Sequence, residues 1–351
     1  MKVALITDTH AGVRNDSIAF HDYSKKFYDN VFFAYLDKND IKTVIHCGDI
    51  VDRRKYINIH SAYRLRKDFI EPIVERGIDY HQIIGNHDTY HKNTNEVSSF
   101  IELFNRYPIN IYDKATEVVL DDTKILFVPW ICDDNKDHSY DLIRNTNAQI
   151  CFGHLEIQGF EMYKGSIISY GMDPKLFSRF DLVASGHYHH RSSRGNIHYL
   201  GSHAEFTWSD YNDPRGFHVF DTQTRQLEFI QNPYSMFKKF TYNDQHHSLI
   251  DKMNLSQYRD CIVKIIIQQN NNQYWFEKFV ERLEKENPIE IQIVEDHLNL
   301  GLEEDQHIID EAESTIDIFK KYISNLDIKG IDKTKLEDKI SELYHEALTL
   351  E

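Results

Sequence analysis

The sequence is short of paired cysteines, of long apolar runs and of positive charge, and each shortage narrows what the protein can be. Its four cysteines, Cys47, Cys132, Cys151 and Cys261, stand far apart with no Cys-x-x-Cys pair. That argues against a zinc ribbon or a disulfide framework and suits a reducing cytosol. No apolar run reaches the length of a membrane span. The run Val3-Ala4-Leu5-Ile6 stops before Asp8, too short for a signal peptide, so a cytoplasmic location is expected. Neither an internal repeat nor a low-complexity tract is present. Basic residues are outnumbered, 40 Lys and Arg against 56 Asp and Glu, for a formal net charge of −16. This is the wrong sign for non-specific binding of a polyanion. The deficit is uneven: residues 1–230 hold 26 basic and 32 acidic groups, residues 231–351 hold 14 and 24. Any contact with nucleic acid must therefore be local or shared with a partner.

What the sequence does hold is enough apolar material for a full core, 41% of 351 residues, and histidine in a telling place. Fifteen of its 20 histidines precede residue 230, many beside Gly or Asp. There one pattern recurs: a short β-branched apolar run, a turn holding Asp, His, Asn or Gly, then a helical stretch. The runs are Val3–Ile6, Thr43–Ile45, Gln82–Ile84, Gln149–Phe152 and Asp181–Ala184. Strands this apolar belong in sheets covered on both faces, and Ser61–Glu75 and Glu96–Tyr107 are candidate helical covers. Two hairpins are expected, Glu117–Leu120 with Lys124–Val128 and Phe217–Phe220 with Gln226–Ile230. The predicted class is α/β: a sandwich of two mixed β-sheets flanked by helices, spanning residues 1–235.

Past residue 235 the composition shifts. Strand Ile262–Ile267, turn Gln268–Gln273, helix Tyr274–Glu286 and strand Ile289–Val294 predict a small α/β cap domain over 236–298. An acidic linker follows at 299–306. A helical pair over 307–351 is expected from apolar positions Ile308, Ala312, Ile316, Phe319 and Ile323, and from Leu336, Ile340, Leu343 and Ala347.

Each of the five apolar runs leads into a turn with potential metal ligands. These are Asp8-Thr9-His10, Gly48-Asp49-Ile50-Val51-Asp52, Gly85-Asn86-His87-Asp88, Gly153-His154 and Gly186-His187-Tyr188-His189. In α/β sheets, ligands bind beyond the carboxyl ends of the strands, so five such ends can converge on one crevice. Each turn alone has a bland reading as surface or turn chemistry; five in one order, each after an apolar strand, point to metal. Mixed imidazole and oxygen donors without thiolate suit manganese, iron or zinc. Asp49 can bridge two ions roughly 3.5–4 Å apart, the arrangement that clamps a phosphoryl group. His87, next to Asn86, need not bind metal and can protonate a leaving alkoxide or stabilise transition-state charge. Arg53, Arg54 and Lys55 directly follow the second turn and are candidate phosphate contacts.

At these motifs the chain resembles the calcineurin-like metallophosphoesterases. Within them it resembles the SbcD-type nuclease subunits of double-strand-break-repair complexes, those of T-even phages in particular. The likeness extends to Gly153-His154-Leu155-Glu156-Ile157-Gln158-Gly159-Phe160, Tyr163-Lys164-Gly165 and Asn212-Asp213-Pro214-Arg215-Gly216-Phe217. The resemblance implies one metal held by Asp8, His10, Asp49 and His189, and a second by Asp49, Asn86, His154 and His187, with His87 as the catalytic histidine and manganese as the metal. Asp52 stands where archaeal and eukaryotic members have a second histidine. An aspartate there can orient His87 or raise its pKa, or serve merely as a turn or cap carboxylate.

The resemblance further implies an exonuclease on duplex ends and endonuclease on single strands, acting in recombination and repair. It implies an SbcC-type coiled-coil ATPase bound through the C-terminal helices, a homodimer, and the host cytoplasm if the gene is a phage's. Two alternatives stand beside it: a protein or small-molecule phosphatase of the same fold, and a non-catalytic adaptor regulating the ATPase. The adaptor would be marked by a lost ligand, and all seven are present.

Overall fold

The computed structural model describes residues 1–295 together with 335, 336, 339 and 340. The chain divides into two compact units, Met1–Phe206 with Asn212–Met236, and Thr207–Tyr211 with Phe237–Glu351.

Two six-stranded sheets make the first unit. One runs in the order Leu227–Gln231, Gly216–Asp221, Lys2–Ile6, Thr43–His46, Asp79–Ile83, Asn110–Tyr112; the other Ser192–Arg194, Ile197–Tyr199, Leu182–Gly186, Ile150–His154, Thr123–Val128, Thr116–Leu120. Both are mixed and parallel at the centre; the first has antiparallel strands at one margin and ends on the parallel strand Asn110–Tyr112 at the other, and the second has antiparallel strands at both. Period-2 alternation sorts each central strand between two cores. Val3 and Leu5 join Ile125, Phe127, Ile150 and Phe152 in the layer between the sheets. Ala4 and Ile6 face the other way, into a core with Phe27, Phe32, Phe69 and Ile73. Leu126, Val128 and Cys151 likewise enter a third core with Ile143, Phe177 and Tyr199. Every central strand is thus buried on both faces, which is why these runs lack polar alternation.

The five expected strands and both hairpins form, with shifted ends. Strand Ile150–His154 runs on through Gly153 and His154, placing that expected turn on the strand itself. The expected Gln82–Ile84 strand starts earlier, at Asp79. Helix Glu96–Tyr107 is cut to Ser99–Phe104, because Ser98 caps it by accepting from the Ile101 amide. Ser61–Glu75 is one continuous helical run, Ile59–Leu65, a π-turn at Arg66–Ile70 and Glu71–Glu75, started by the Asn58 cap. The helical run Ile18–Phe27, Tyr28–Phe32 and Phe33–Lys38 was not anticipated. Its aromatic residues have weak helix propensity, but Phe27, Phe32 and Phe33 are buried against the first sheet's core.

In the second unit, strands Phe237–Asn243, Ile262–Gln269 and Glu290–Glu295 form a parallel sheet, with helix Gln273–Glu284 packed on it through Phe276, Phe279 and Leu283. The first of these strands escaped sequence reading, since Lys238 and Lys239 interrupt its apolar pattern. The linker at 299–306 and most of the helical pair over 307–351 lie outside the described residues. Lys335, Leu336, Lys339 and Ile340 are helical, with the lysines exposed and Leu336 and Ile340 half-buried. Among the described residues no helix is long and apolar enough to cross a membrane.

Candidate metal centre

Parallel strands in register finish level with one another. Ile6 pairs with His46, and His46 with Gln82, in one sheet; Gly186 pairs with His154 in the other. The five turns therefore emerge side by side. Two glycines let them close. A Cβ on Gly48 would lie 2.3 Å from His154 Nδ1, and one on Gly85 2.2 Å from Asp49 Oδ1, distances no side chain tolerates. Four of the expected ligands also sit in left-handed backbone: Asp8 at φ 50°, His10 at 43°, Asp49 at 56° and His187 at 89°. Non-glycine residues there carry strain, and such strain gathers at functional sites.

All seven expected ligands come together. Asp8, His10 and His189 present donor atoms within 4.8 Å of one another, as do Asp49, His154 and His187. In the first group, His10 Nε2 and His189 Nε2 face each other at 3.0 Å, each 3.9 Å from Asp8 Oδ1. In the second, His154 Nε2 lies 2.9 Å from Asn86 Oδ1, which is 3.0 Å from His187 Nδ1. Asp49 stands between the groups, its Oδ2 3.3 Å from His154 Nε2 and 3.9 Å from His10 Nε2.

This donor set fits divalent cations. His154 Nδ1 is 2.8 Å from the Cys47 carbonyl and must donate to it. Its Nε2 then faces a carboxylate and an amide oxygen, and a cation there satisfies all three. The buried carboxyls are short of positive charge. Burial lifts Asp8 to about 7, with Asp49 adding to the rise and His154 opposing it. Burial also lifts Asp49, but His154, His87 and His10 outweigh it and hold that carboxyl well below its usual range. Burial lowers His154, yet Asp49 and Asp8 overcome it and raise the ring to about 9. Without metal, a proton on His154 balances Asp49.

Asp8 binds its proton better folded than unfolded, so its stabilisation is full below its ordinary value of 3.8 and is lost as pH rises through about 7. The His154 contribution is full below 6.5 and is lost as pH rises through about 9. Burial holds His46, His203 and His218 at about 3, which opposes this trend until free histidine has lost its proton, so metal-free protein should melt at progressively lower temperature as pH climbs from about 6.5 to about 9. Added manganese should raise the Tm more at high pH than at low, because metal displaces protons. Thermal melts in EDTA and in manganese across that range check this; a gain that shrinks with pH would overturn it.

His87 is half-buried beside the two groups. Its main-chain N–H donates to Asp49 Oδ1 at 2.7 Å, and its Nδ1 donates to the Asp52 carbonyl at 2.6 Å. Its ring meets that of His10 edge-on, centroids 5.0 Å apart. The orienting contact expected of the Asp52 carboxylate is thus made by the Asp52 main chain. The Asp52 carboxylate lies 3.6 Å from His10 Nδ1 instead. The three candidate phosphate contacts separate. Arg53 is engaged with Asp16 Oδ2 at 2.9 Å and Asn15 Oδ1 at 2.6 Å; Lys55 is exposed. Arg54 has Nε and one terminal nitrogen buried without a hydrogen-bond partner.

Sequence reasoning missed the supports. Fully buried Asp88 accepts from the amides of Asp49 (2.9 Å), Ile50 (2.9 Å), Val51 (3.3 Å) and Gly85 (2.8 Å), clamping the Asp49 turn to the Asn86 turn. A carboxyl buried one residue after Asn86-His87 has to find such donors, which was the available signal. Arg215 donates to the His189 carbonyl and to Ser202 Oγ at 2.9 Å, and pairs with Asp213 at 2.8 Å. That assigns a positioning task to the Asn212–Phe217 motif. Glu156 Oε1 lies 3.7 Å from His187 Nε2, and the Trp130 ring 5.2 Å from the His187 ring.

The family model described as calcineurin-like phosphoesterase matches residues 1–191. Exonuclease subunit 1 of Enterobacteria phage T4 is 32% identical over 351 residues, 99% of each chain. The SbcD component of the nuclease SbcCD from Staphylococcus epidermidis is 26% identical over 65% of this chain and 67% of its own length. Its counterpart from Staphylococcus saprophyticus is 23% identical over 67% of this chain and 72% of its own.

Proposed function

The chain belongs to the calcineurin-like phosphoesterase family, and we propose that within it the protein is a metal-dependent nuclease, acting as an exonuclease on duplex DNA ends and an endonuclease on single strands. The observation that carries this is Asp49 Oδ2, set between His154 Nε2 and His10 Nε2 with a donor group on either side. Asp8, His10, Asp49 and His189 would hold one divalent cation, and Asp49, Asn86, His154 and His187 the other. Such a pair, which we take to be manganese, would supply positive charge to phosphate oxygens and acidify a water.

The chain's own residues do the rest. The Asp52 carbonyl keeps one proton on His87 Nδ1, so His87 acts through Nε2: as the imidazolium, with a second proton there, it passes that proton to the leaving oxygen and is left neutral. Asp88 fixes the Asp49 turn, and Arg215 the main chain at His189. Arg54 and Lys55 contact phosphates near the cut, while Arg53 stays with Asp16 and Asn15. The net charge of −16 requires such contacts to be local or supplemented, which suits work beside an SbcC-type ATPase bound through 307–351. Residues 236–298 help hold the DNA, and the active form is a homodimer in the host cytoplasm. Recombination and double-strand-break processing are its setting. The nuclease names of the relatives, and the presence of every expected ligand, favour this over a phosphatase or a non-catalytic adaptor.

Purified protein with manganese should shorten linear duplex DNA and open circular single-stranded DNA, and EDTA should stop both. Cleavage of a small generic diester with both DNAs left intact would overturn the nuclease reading.

A further inference from the structure

Next to the donor groups lies a cavity of about 210 Å³. His154 and Glu156 line it on the side of the metal centre, and Trp130, Tyr140 and Met172 supply its apolar surface. The Trp130 ring lies 5.2 Å from that of His187 and 6.3 Å from that of His154. We propose that this cavity receives one unpaired nucleobase of the strand being cut, stacked on Trp130. The proposal rests on the nuclease reading and adds to it how the substrate strand is held.

Four observations carry it. The main chain that carries the platform is fixed in advance: the Trp130 amide donates to the Ile84 carbonyl at 2.8 Å, and its own carbonyl accepts from Asn95 Nδ2 and Asn135 Nδ2, each at 2.9 Å. Asn135 Oδ1 in turn accepts from the Cys132 amide at 3.0 Å, so the backbone beneath the indole needs no ordering on binding. The size suits a base: about 10–15 Å³ of such space already admits one water, and 210 Å³ leaves room for a planar ring system. Charge points the same way, since Asp133 and Glu156 against the single Lys136 repel a phosphate but tolerate a neutral base with donor and acceptor edges. Finally, the ring-to-ring spacing to His187 and His154 puts the base within one nucleotide of the scissile phosphate. Every base has a π-face, so the pocket favours unpaired over paired nucleotides without reading sequence.

The test is calorimetric titration of manganese-loaded protein with deoxyadenosine 5′-monophosphate and with base-free deoxyribose 5-phosphate. Wild type should bind the nucleotide about 5- to 150-fold more tightly, the range of one base–aromatic stack. Trp130→Leu should lose that preference while binding the base-free phosphate as before; Trp130→Phe, which keeps a ring, should retain most of it. Equal binding of both ligands by wild type, or a preference that survives in Trp130→Leu, overturns the pocket and leaves the nuclease reading standing. If neither ligand binds, the metal-centre reading falls with it.

Discussion

In His87→Ala, turnover of DNA falls about 10²- to 10⁴-fold while two metal ions per chain remain. The expectation comes from where His87 sits. It belongs to neither donor group, and its Nδ1 is committed to the Asp52 carbonyl. Its imidazole therefore has one nitrogen to offer, and that nitrogen acts on a proton or on developing charge. Removing the ring leaves the main-chain N–H, so the 2.7 Å bond to Asp49 Oδ1 survives and the Asp49 turn keeps its place. The decisive pair of measurements is kcat at saturating DNA and metal content by elemental analysis. Undiminished turnover would remove His87 from the chemistry, and loss of metal would make it a ligand.

Asp49→Asn should be more damaging, and in a different way. Asparagine is nearly isosteric and its oxygen can still accept from the His87 amide. What disappears is the negative charge shared by both groups. Asp49 is the main influence raising His154 against burial, so the two groups lose their common counter-charge and the pocket no longer favours two cations. We expect fewer than two ions per chain and activity below that of His87→Ala, with the fold intact by circular dichroism. A variant that holds two ions and cuts DNA would show that Asp49 does not bridge. Measured side by side, the two variants separate loss of proton transfer from loss of metal.

How much of this the sequence disclosed depends on whether a feature is local. The ligand-bearing turns were legible because each is a short segment: an apolar run buried on both faces, then polar residues that such burial makes expensive. The supports were not, because they are tertiary. Asp88 was visible as the last letter of Gly85-Asn86-His87-Asp88, but its four amide donors come partly from the turn 49–51, and no pattern in the string joins those segments. The contact at Asp52 escaped for a related reason. Its identity drew attention to the carboxylate, whereas the contact to His87 is made by a carbonyl that any residue would possess. Arg53, read as a phosphate contact, is already engaged by Asp16 and Asn15. The helical run Ile18–Lys38 was missed because aromatic burial overrode weak propensity.

The left-handed turns at Asp8, His10, Asp49 and His187 have an evolutionary corollary. Each holds a residue whose backbone glycine would occupy with less strain, at a difference on the order of 1–3 kcal/mol. Glycine there would relieve the backbone, but it also frees the unfolded chain and, at Asp8 and Asp49, strips the carboxylates that accept the His187 and His87 amides, so any gain in robustness comes with loss of the chemistry. Directed evolution of this protein for robustness should therefore keep a cleavage screen running in every round, since such gains and the first casualties fall on the same residues.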